Sequence, residues 1–239
     1  MERFDSYIAL GDSMSIDKYA DAPDHGAASL LFRNDDAAWP EFQGRDVKSA
    51  NPSARFRMLA EDGATSVDLE RVVSSLERSG DGAISGRTLV TITIGGNDLL
   101  VLYGSPHPLR EAPEMLARFV TRMHDVLRRV RVLYRDSVVL LSTIYDPTDG
   151  TGRVQSGRDV SAGLPLIEKM NHAIADAAAY CGARLVDAHG HFRGHGLRHR
   201  DTSYAHYHPT DPSGWIIYDI EPNTRGSSEL RRLFIEATP

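Results

Sequence analysis

Cysteine is nearly absent from this sequence: Cys181 is the single one in 239 residues. One thiol cannot form an internal disulfide, and a reducing cytoplasm is the expected compartment. Long apolar runs are missing as well, since stretches such as 137–144 fall far short of the roughly 20 residues that cross a bilayer, so no membrane span is expected. The opening MERFDSYIALGDS lacks a basic head, an apolar core and a cleavage site, so no secretory signal is expected in this sequence. Basic charge is in deficit, with 27 Lys and Arg against 33 Asp and Glu and a net charge of -6. A surface of that sign gains nothing from counterion release, so no nucleic-acid partner is expected. The local exception is HGHFRGHGLRHR, residues 189–200, which is short, carries one aromatic, and serves equally well as a loop facing an anionic or polar ligand. No GxGxxG or Walker loop follows the first apolar run, so a nucleotide or flavin would find no phosphate-binding turn there.

What is present has the balance of a globular protein, 41% hydrophobic and 25% charged. Tyr7 to Leu10 is an apolar run that stops at Gly11, and Thr88 to Ile94 is a β-branched run that stops at Gly95 and Gly96, as buried parallel strands do. Arg55 to Leu59, Val138 to Ile144 and Arg184 to Val186 supply three more strands. Between them, Met115, Phe119, Met123, Val126, Val130 and Leu133 recur at helical spacing and predict a helix from about Ala112 to Tyr134. Leu166, Met170, Ile174, Ala177 and Cys181 predict another, with Gly182 placed as its left-handed cap. Helices from about Ser66 to Leu76 and Ser227 to Glu236 complete the set. Strands alternating with helices imply right-handed crossovers and an α/β three-layer sandwich around a five-stranded parallel sheet. No repeat or linker divides the sequence, so one domain over 1–239 is expected. Met14 to Asn51 and Ala188 to Tyr218 are long polar excursions, which in a compact domain tend to be functional.

In an open parallel sheet a ligand sits beyond the carboxyl ends of the strands, which singles out the turns that follow them. These read Gly11-Asp12-Ser13, Asp62-Gly63-Ala64-Thr65 and Gly95-Gly96-Asn97-Asp98. A serine becomes a nucleophile if a base takes its proton, and a glycine lets its amide approach a substrate oxygen. An asparagine amide donates a neutral hydrogen bond to the same oxygen. Singly, each turn is an ordinary cap or loop sequence. Together, at three consecutive strand ends, they compose an acyl-transfer site.

On these residues the sequence resembles the SGNH, or GDSL, hydrolases. IALGDSMS (8–15) is similar to that family's first block, LAEDGATSVDL (59–69) to its second and ITIGGNDL (92–99) to its third. The resemblance implies a flavodoxin-like strand order, Ser13 as nucleophile, and an oxyanion hole of the Ser13 amide, the Gly63 amide and the Asn97 side chain. The family's last block, an aspartate, two residues, then histidine and proline before the final helix, is altered. His208-Pro209 looks like its histidine side, but Ala205 stands in the aspartate position. Glu221-Pro222 sits at the right place before the last helix, but there Glu221 replaces the histidine and Tyr218 the aspartate. A glutamate of ordinary pKa is a poor base toward a hydroxyl. A histidine from the second excursion is therefore expected to reach Ser13, His208 first and His195 second, with Glu221 or Asp219 orienting it. YDPTDGTG (145–152), Gly194 to Gly196 and Ile220 to Asn223 resemble a bacterial subgroup of the family that shares this variant site.

The expected function is hydrolysis of a short acyl ester or a carbohydrate O-acetyl group, with no cofactor. Two alternatives stand beside it. Asp187, His189, His191, His195 and His199 are numerous enough for a metal-dependent hydrolase, and the altered last block suits an inactive fold that only binds a ligand. Trp39 and Phe42 are expected either to wall the substrate pocket or to be core. The sequence sets no oligomeric state.

Overall fold

The computed structural model describes residues 1–80 and 86–239. Five strands, β1 (Ser6–Gly11), β2 (Arg55–Ala60), β3 (Thr88–Thr93), β4 (Ser137–Ser142) and β5 (Arg184–Val186), form one parallel sheet in the order β2-β1-β3-β4-β5. This is the flavodoxin-like order that the resemblance implies. Its central strands β1 and β3 are buried at every residue, which is why they read as continuous apolar runs rather than alternating ones. The helices are α1 (Ala27–Phe32), α2 (Val47–Ala50), α3 (Ser66–Ser79), α4 (Gly96–Tyr103), α5 (Pro108–Leu133), α6 (Leu164–Cys181), α7 (Ala188–His191) and α8 (Thr224–Ala237). Among them α3, α5 and α6 pack side by side, while α1 packs with α8. A short antiparallel ribbon, β6 (Ile216–Ile217) with β7 (Glu221–Pro222), leads into α8.

Several elements differ from expectation. Helix α5 begins at Pro108, ahead of its apolar stripe, because proline's missing N–H costs nothing at a first helical position. Helix α4 occupies a segment whose Gly and Asn suggested a loop, and burial of Leu99 and Leu102 overrides that preference. Both excursions hold short elements, α1 and α2 in the first, α7 and β6 in the second. Phe42 is fully buried with the Arg231 guanidinium 3.6 Å over its ring, and Trp39 lies 5.7 Å from the same cation, so both belong to the packing of the first excursion on α8. Arg231 itself donates to Asn34 Oδ1 at 2.6 Å and to the Ser228 carbonyl. Among the described residues no helix is long and apolar enough to cross a membrane.

Candidate active site

Strand β1 pairs with β2 and β3 in a register that sets Gly11 opposite Ala60 and Thr93, so the three turns begin at one level. Gly11 has φ +117°, and a Cβ there would lie 1.8 Å from the Thr93 carbonyl, so the chain can leave β1 this way only with glycine. The turn is held by Asp12 N–H donating to Thr93 O (2.9 Å), Met14 N–H to Asp12 Oδ1 (3.2 Å), and the Ser15 and Thr93 hydroxyls at 2.9 Å. Ser13 is thereby fixed at the centre of the sheet's carboxyl edge and is nearly buried.

The flanking turns are tied to each other. Asn97 Nδ2 donates to the Ala64 carbonyl at 3.0 Å, which orients the side-chain amide, and among the described residues its second N–H has no hydrogen-bond partner. Asp98 accepts from the Ser66 N–H (2.9 Å) and hydroxyl (2.6 Å), and Arg122 donates to that hydroxyl at 2.9 Å. Gly63 takes φ +75°, a left-handed conformation in which a side chain would be strained. Beside it Asp62 accepts from Tyr19 Oη at 2.9 Å and pairs with Lys18, so the first excursion is anchored at the rim of the site.

Burial pushes Asp12 up to about 6, against hydrogen bonds from Thr93 and Met14 that favour its charged form; Glu221 and Asp98 push it further upward. A carboxyl raised in the folded state contributes stability that is complete below its unfolded pKa and is lost as pH climbs through 6. Asp12→Asn removes that loss. It is expected to raise Tm by about 5–10 °C at pH 8, corresponding to about 3 kcal/mol, and to change it little at pH 4. Thermal melts at the two pH values check this.

Glu221 opens β7, the second strand of the short ribbon. It pairs with Ile217 across β6 and β7, is 9% exposed, and sits three residues before α8. Burial raises its pKa, and the Ser13 side chain beside it pulls in the opposite direction. Tyr145 Oη donates to the Ile220 carbonyl at 2.6 Å, fixing the residue before it. Asn223 caps α8 through the Gly226 N–H (3.0 Å) and donates from Nδ2 to the Gly214 carbonyl (2.9 Å), fixing the chain after it.

The histidines expected to reach Ser13 are engaged elsewhere. His195 is 3% exposed, stacks on Trp215 at 3.4 Å between ring centroids, and uses Nδ1 on the Ser213 carbonyl at 3.0 Å. Burial lowers its pKa. His208 stacks on its other side at 4.4 Å and donates from Nε2 to the Arg193 carbonyl at 3.0 Å. Trp215 meets Phe192 edge-on, and Phe192 stacks on Tyr145, so the imidazoles extend an aromatic column that ends at the tyrosine holding Ile220. Asp219, the other carboxylate expected to orient a histidine, accepts instead from the Ser156 N–H and hydroxyl.

The proposed metal set is likewise dispersed, which corrects that alternative. His189 meets Glu168 and the Ile144 carbonyl, His191 meets Glu229, His199 meets the Gly196 carbonyl, and Asp187 caps α7. Among the described residues no three His, Cys, Asp or Glu side chains are grouped to hold a metal ion. His191 and Glu229 brace α7 against α8 instead. Burial would raise Glu229, but hydrogen bonds from His191 and Arg232 and the charge of Arg225 overcome it and hold the carboxyl at about 2. That stabilisation is present above the unfolded pKa and is lost as pH falls toward 2. Glu229→Gln is expected to cost about 3 kcal/mol at pH 7 and to flatten the acid limb of the stability curve, as urea melts between pH 2.5 and 7 would show.

Sequence motifs of the second excursion find their place here. The Asp149 carboxylate accepts the Gly194 N–H (2.7 Å) and the Arg198 N–H (2.9 Å), so the 145–152 turn clasps the Gly194 to Gly196 stretch. A Cβ at Gly194 would lie 1.9 Å from the His206 carbonyl.

The same architecture recurs in solved structures. Phospholipase A1 from Streptomyces albidoflavus NA297 superposes with a TM-score of 0.62 at 21% identity, covering 98% of each chain. An extracellular lipase from Streptomyces rimosus gives 0.62 at 20% identity over 98% of this chain and 99% of the other. The acetyl xylan esterase AlAXEase gives 0.63 at 14% identity over 98% and 100%. At these identities the likeness is one of fold. No curated protein sequence matches the chain. The sequence profile of the GDSL-like lipase/acylhydrolase family matches residues 9–212, from β1 through all three turns and up to the segment before Glu221. That span is most of the chain, and with it the chain belongs to the GDSL-like lipase/acylhydrolase family.

Proposed function

We propose that this protein hydrolyses carboxylic esters, either short acyl esters or O-acetyl groups on carbohydrates, through an acyl-serine intermediate. The observation that carries the reading is the placement of Ser13 at the strand end flanked by the Gly63 and Asn97 turns, with the buried Glu221 carboxylate beside it. Ser13 Oγ attacks the ester carbonyl as its proton leaves. The negative charge that develops on the carbonyl oxygen is met by the amides of Ser13 and Gly63 and by the free N–H of Asn97, donors fixed before the substrate arrives. Collapse expels the alcohol and leaves Ser13 acylated; water then attacks the acyl group and releases the acid. Membership in a family of lipases and acylhydrolases supports the reaction type.

The experiment is steady-state hydrolysis of p-nitrophenyl acetate and butyrate, together with labelling by a fluorophosphonate, which forms a P–O bond to an activated serine as fluoride leaves. Turnover and a label on the peptide containing Ser13 are the expected results. Turnover that survives Ser13→Ala unchanged overturns the proposal.

A further inference from the structure

We propose that Glu221 itself is the general base for Ser13, in the position that the family's last block gives to histidine, and that no histidine acts in proton transfer. The inference rests on the serine-hydrolase reading above. Three observations carry it. First, the ribbon that carries Glu221 is seated at the rim of the site, with Tyr218 against Tyr19 at 6.1 Å between ring centroids, Tyr19 Oη on Asp62 at 2.9 Å and the Asp21 N–H on Thr224 Oγ1 at 2.8 Å, and there the buried Glu221 carboxylate has the Ser13 side chain beside it. Second, both imidazoles offered by the sequence are built into the wall: His195 is sandwiched between Trp215 and His208, and His208 Nε2 is bound to the Arg193 carbonyl. Third, the segment carrying Glu221 is fixed on both sides, by Tyr145 Oη on the Ile220 carbonyl and by the Asn223 N–H on the Trp215 carbonyl at 2.9 Å. A base held this firmly can stay within reach of one hydroxyl through both halves of the reaction.

The chemistry balances. In acylation the Glu221 carboxylate accepts the Ser13 proton as Oγ forms its bond to the carbonyl carbon. The resulting carboxylic acid returns that proton to the departing alkoxide as the C–O bond breaks. In deacylation the carboxylate takes a proton from the attacking water and gives it back to Ser13 Oγ as the acyl–oxygen bond breaks. The sum is ester plus water giving acid plus alcohol.

A carboxylate of ordinary basicity is weak for this task, and the surroundings of Glu221 strengthen it. It is desolvated by burial, three residues ahead of α8. Asp62 on the second turn raises its pKa, while Lys18 on the first excursion and the Ser13 hydroxyl lower it. The charge of Glu221 in turn pushes up the other titratable groups around it, Asp12, Tyr19 and Tyr145. The balance is an upward shift. General-base catalysis improves as the base approaches the working pH, so burial here serves the reaction.

The test compares wild type, Glu221→Gln, Glu221→His and His208→Ala by the pH dependence of kcat and by the rate of Ser13 labelling with a fluorophosphonate. Glu221→Gln is expected to lower both by about 100-fold or more, the usual range for loss of a general base. Glu221→His is expected to restore labelling, with the rising limb moved to the imidazole range near roughly pH 6.5. His208→Ala is expected to leave the wild-type limb where it is. A folded Glu221→Gln protein with wild-type kcat overturns the proposal, as does a wild-type limb that disappears in His208→Ala. Absence of label on Ser13 in wild type overturns the serine-hydrolase reading itself, and a labelled wild type matched by an equally labelled Glu221→Gln overturns only the base.

Discussion

Ser13→Ala is expected to lower kcat on p-nitrophenyl acetate by at least about 10⁴-fold while leaving the fold in place, because loss of the nucleophile in serine hydrolases removes nearly all that the catalytic groups contribute together. The backbone argument for an intact fold is specific. The β1 turn is secured by the Asp12 N–H on Thr93, the Met14 N–H on Asp12 and the Ser15 hydroxyl on Thr93, none of which involves the Ser13 side chain. What the substitution does remove is the hydroxyl that holds the Glu221 carboxyl down, so Glu221 is expected to rise further in the variant. A circular dichroism spectrum and Tm near wild type, with turnover gone, is the expected pair of results. Retained turnover with an unchanged pH profile would place the chemistry elsewhere in the molecule.

Much of this architecture is legible in the sequence. Buried strands such as Tyr7 to Leu10 announce themselves as short apolar runs stopped by glycine, and the helical stripe from Met115 to Leu133 has no other periodicity to compete with. The three turns are legible for the same reason: each is a short segment whose position is set by the strand before it. Proton transfer is not legible in that way. His195 meets Trp215 across twenty residues of irregular chain, and nothing local to FRGHG shows that its ring will be stacked rather than free. Glu221 betrays its place, because it stands just ahead of the last helical pattern, but not its basicity. That depends on burial and on neighbours such as Ser13 and Asp62, which other segments bring to it. An intrinsic pKa near 4 is the right starting value and the wrong final one. The YDPTDGTG, GHG and IEPN motifs form one such framework, with Asp149 clasping Gly194 and Tyr145 holding Ile220. Without tertiary contacts they are three unrelated loops.

Asn97→Ala tests the other half of the site. The side chain spends one N–H on the Ala64 carbonyl at 3.0 Å, so its plane is set before substrate binds and the second N–H is a preorganised donor. Removing one such donor from an oxyanion hole costs about 2.7 to 4 kcal/mol in the barrier, so kcat is expected to fall roughly 100- to 1000-fold. KM is expected to change little, since the ground-state carbonyl oxygen gains less from that donor than the oxyanion does. Loss of the Ala64 contact is buffered by the neighbouring Asp98, which keeps its two bonds to Ser66 and so holds the second and third turns together. The effect is therefore one of charge stabilisation rather than of collapse, and its signature is a uniform drop across pH with the rising limb unmoved. A limb that shifts in Asn97→Ala would mean that the substitution had disturbed the Ser13–Glu221 pair. An unchanged kcat in the folded variant would remove Asn97 from the site and leave the amides of Ser13 and Gly63 to carry the oxyanion alone.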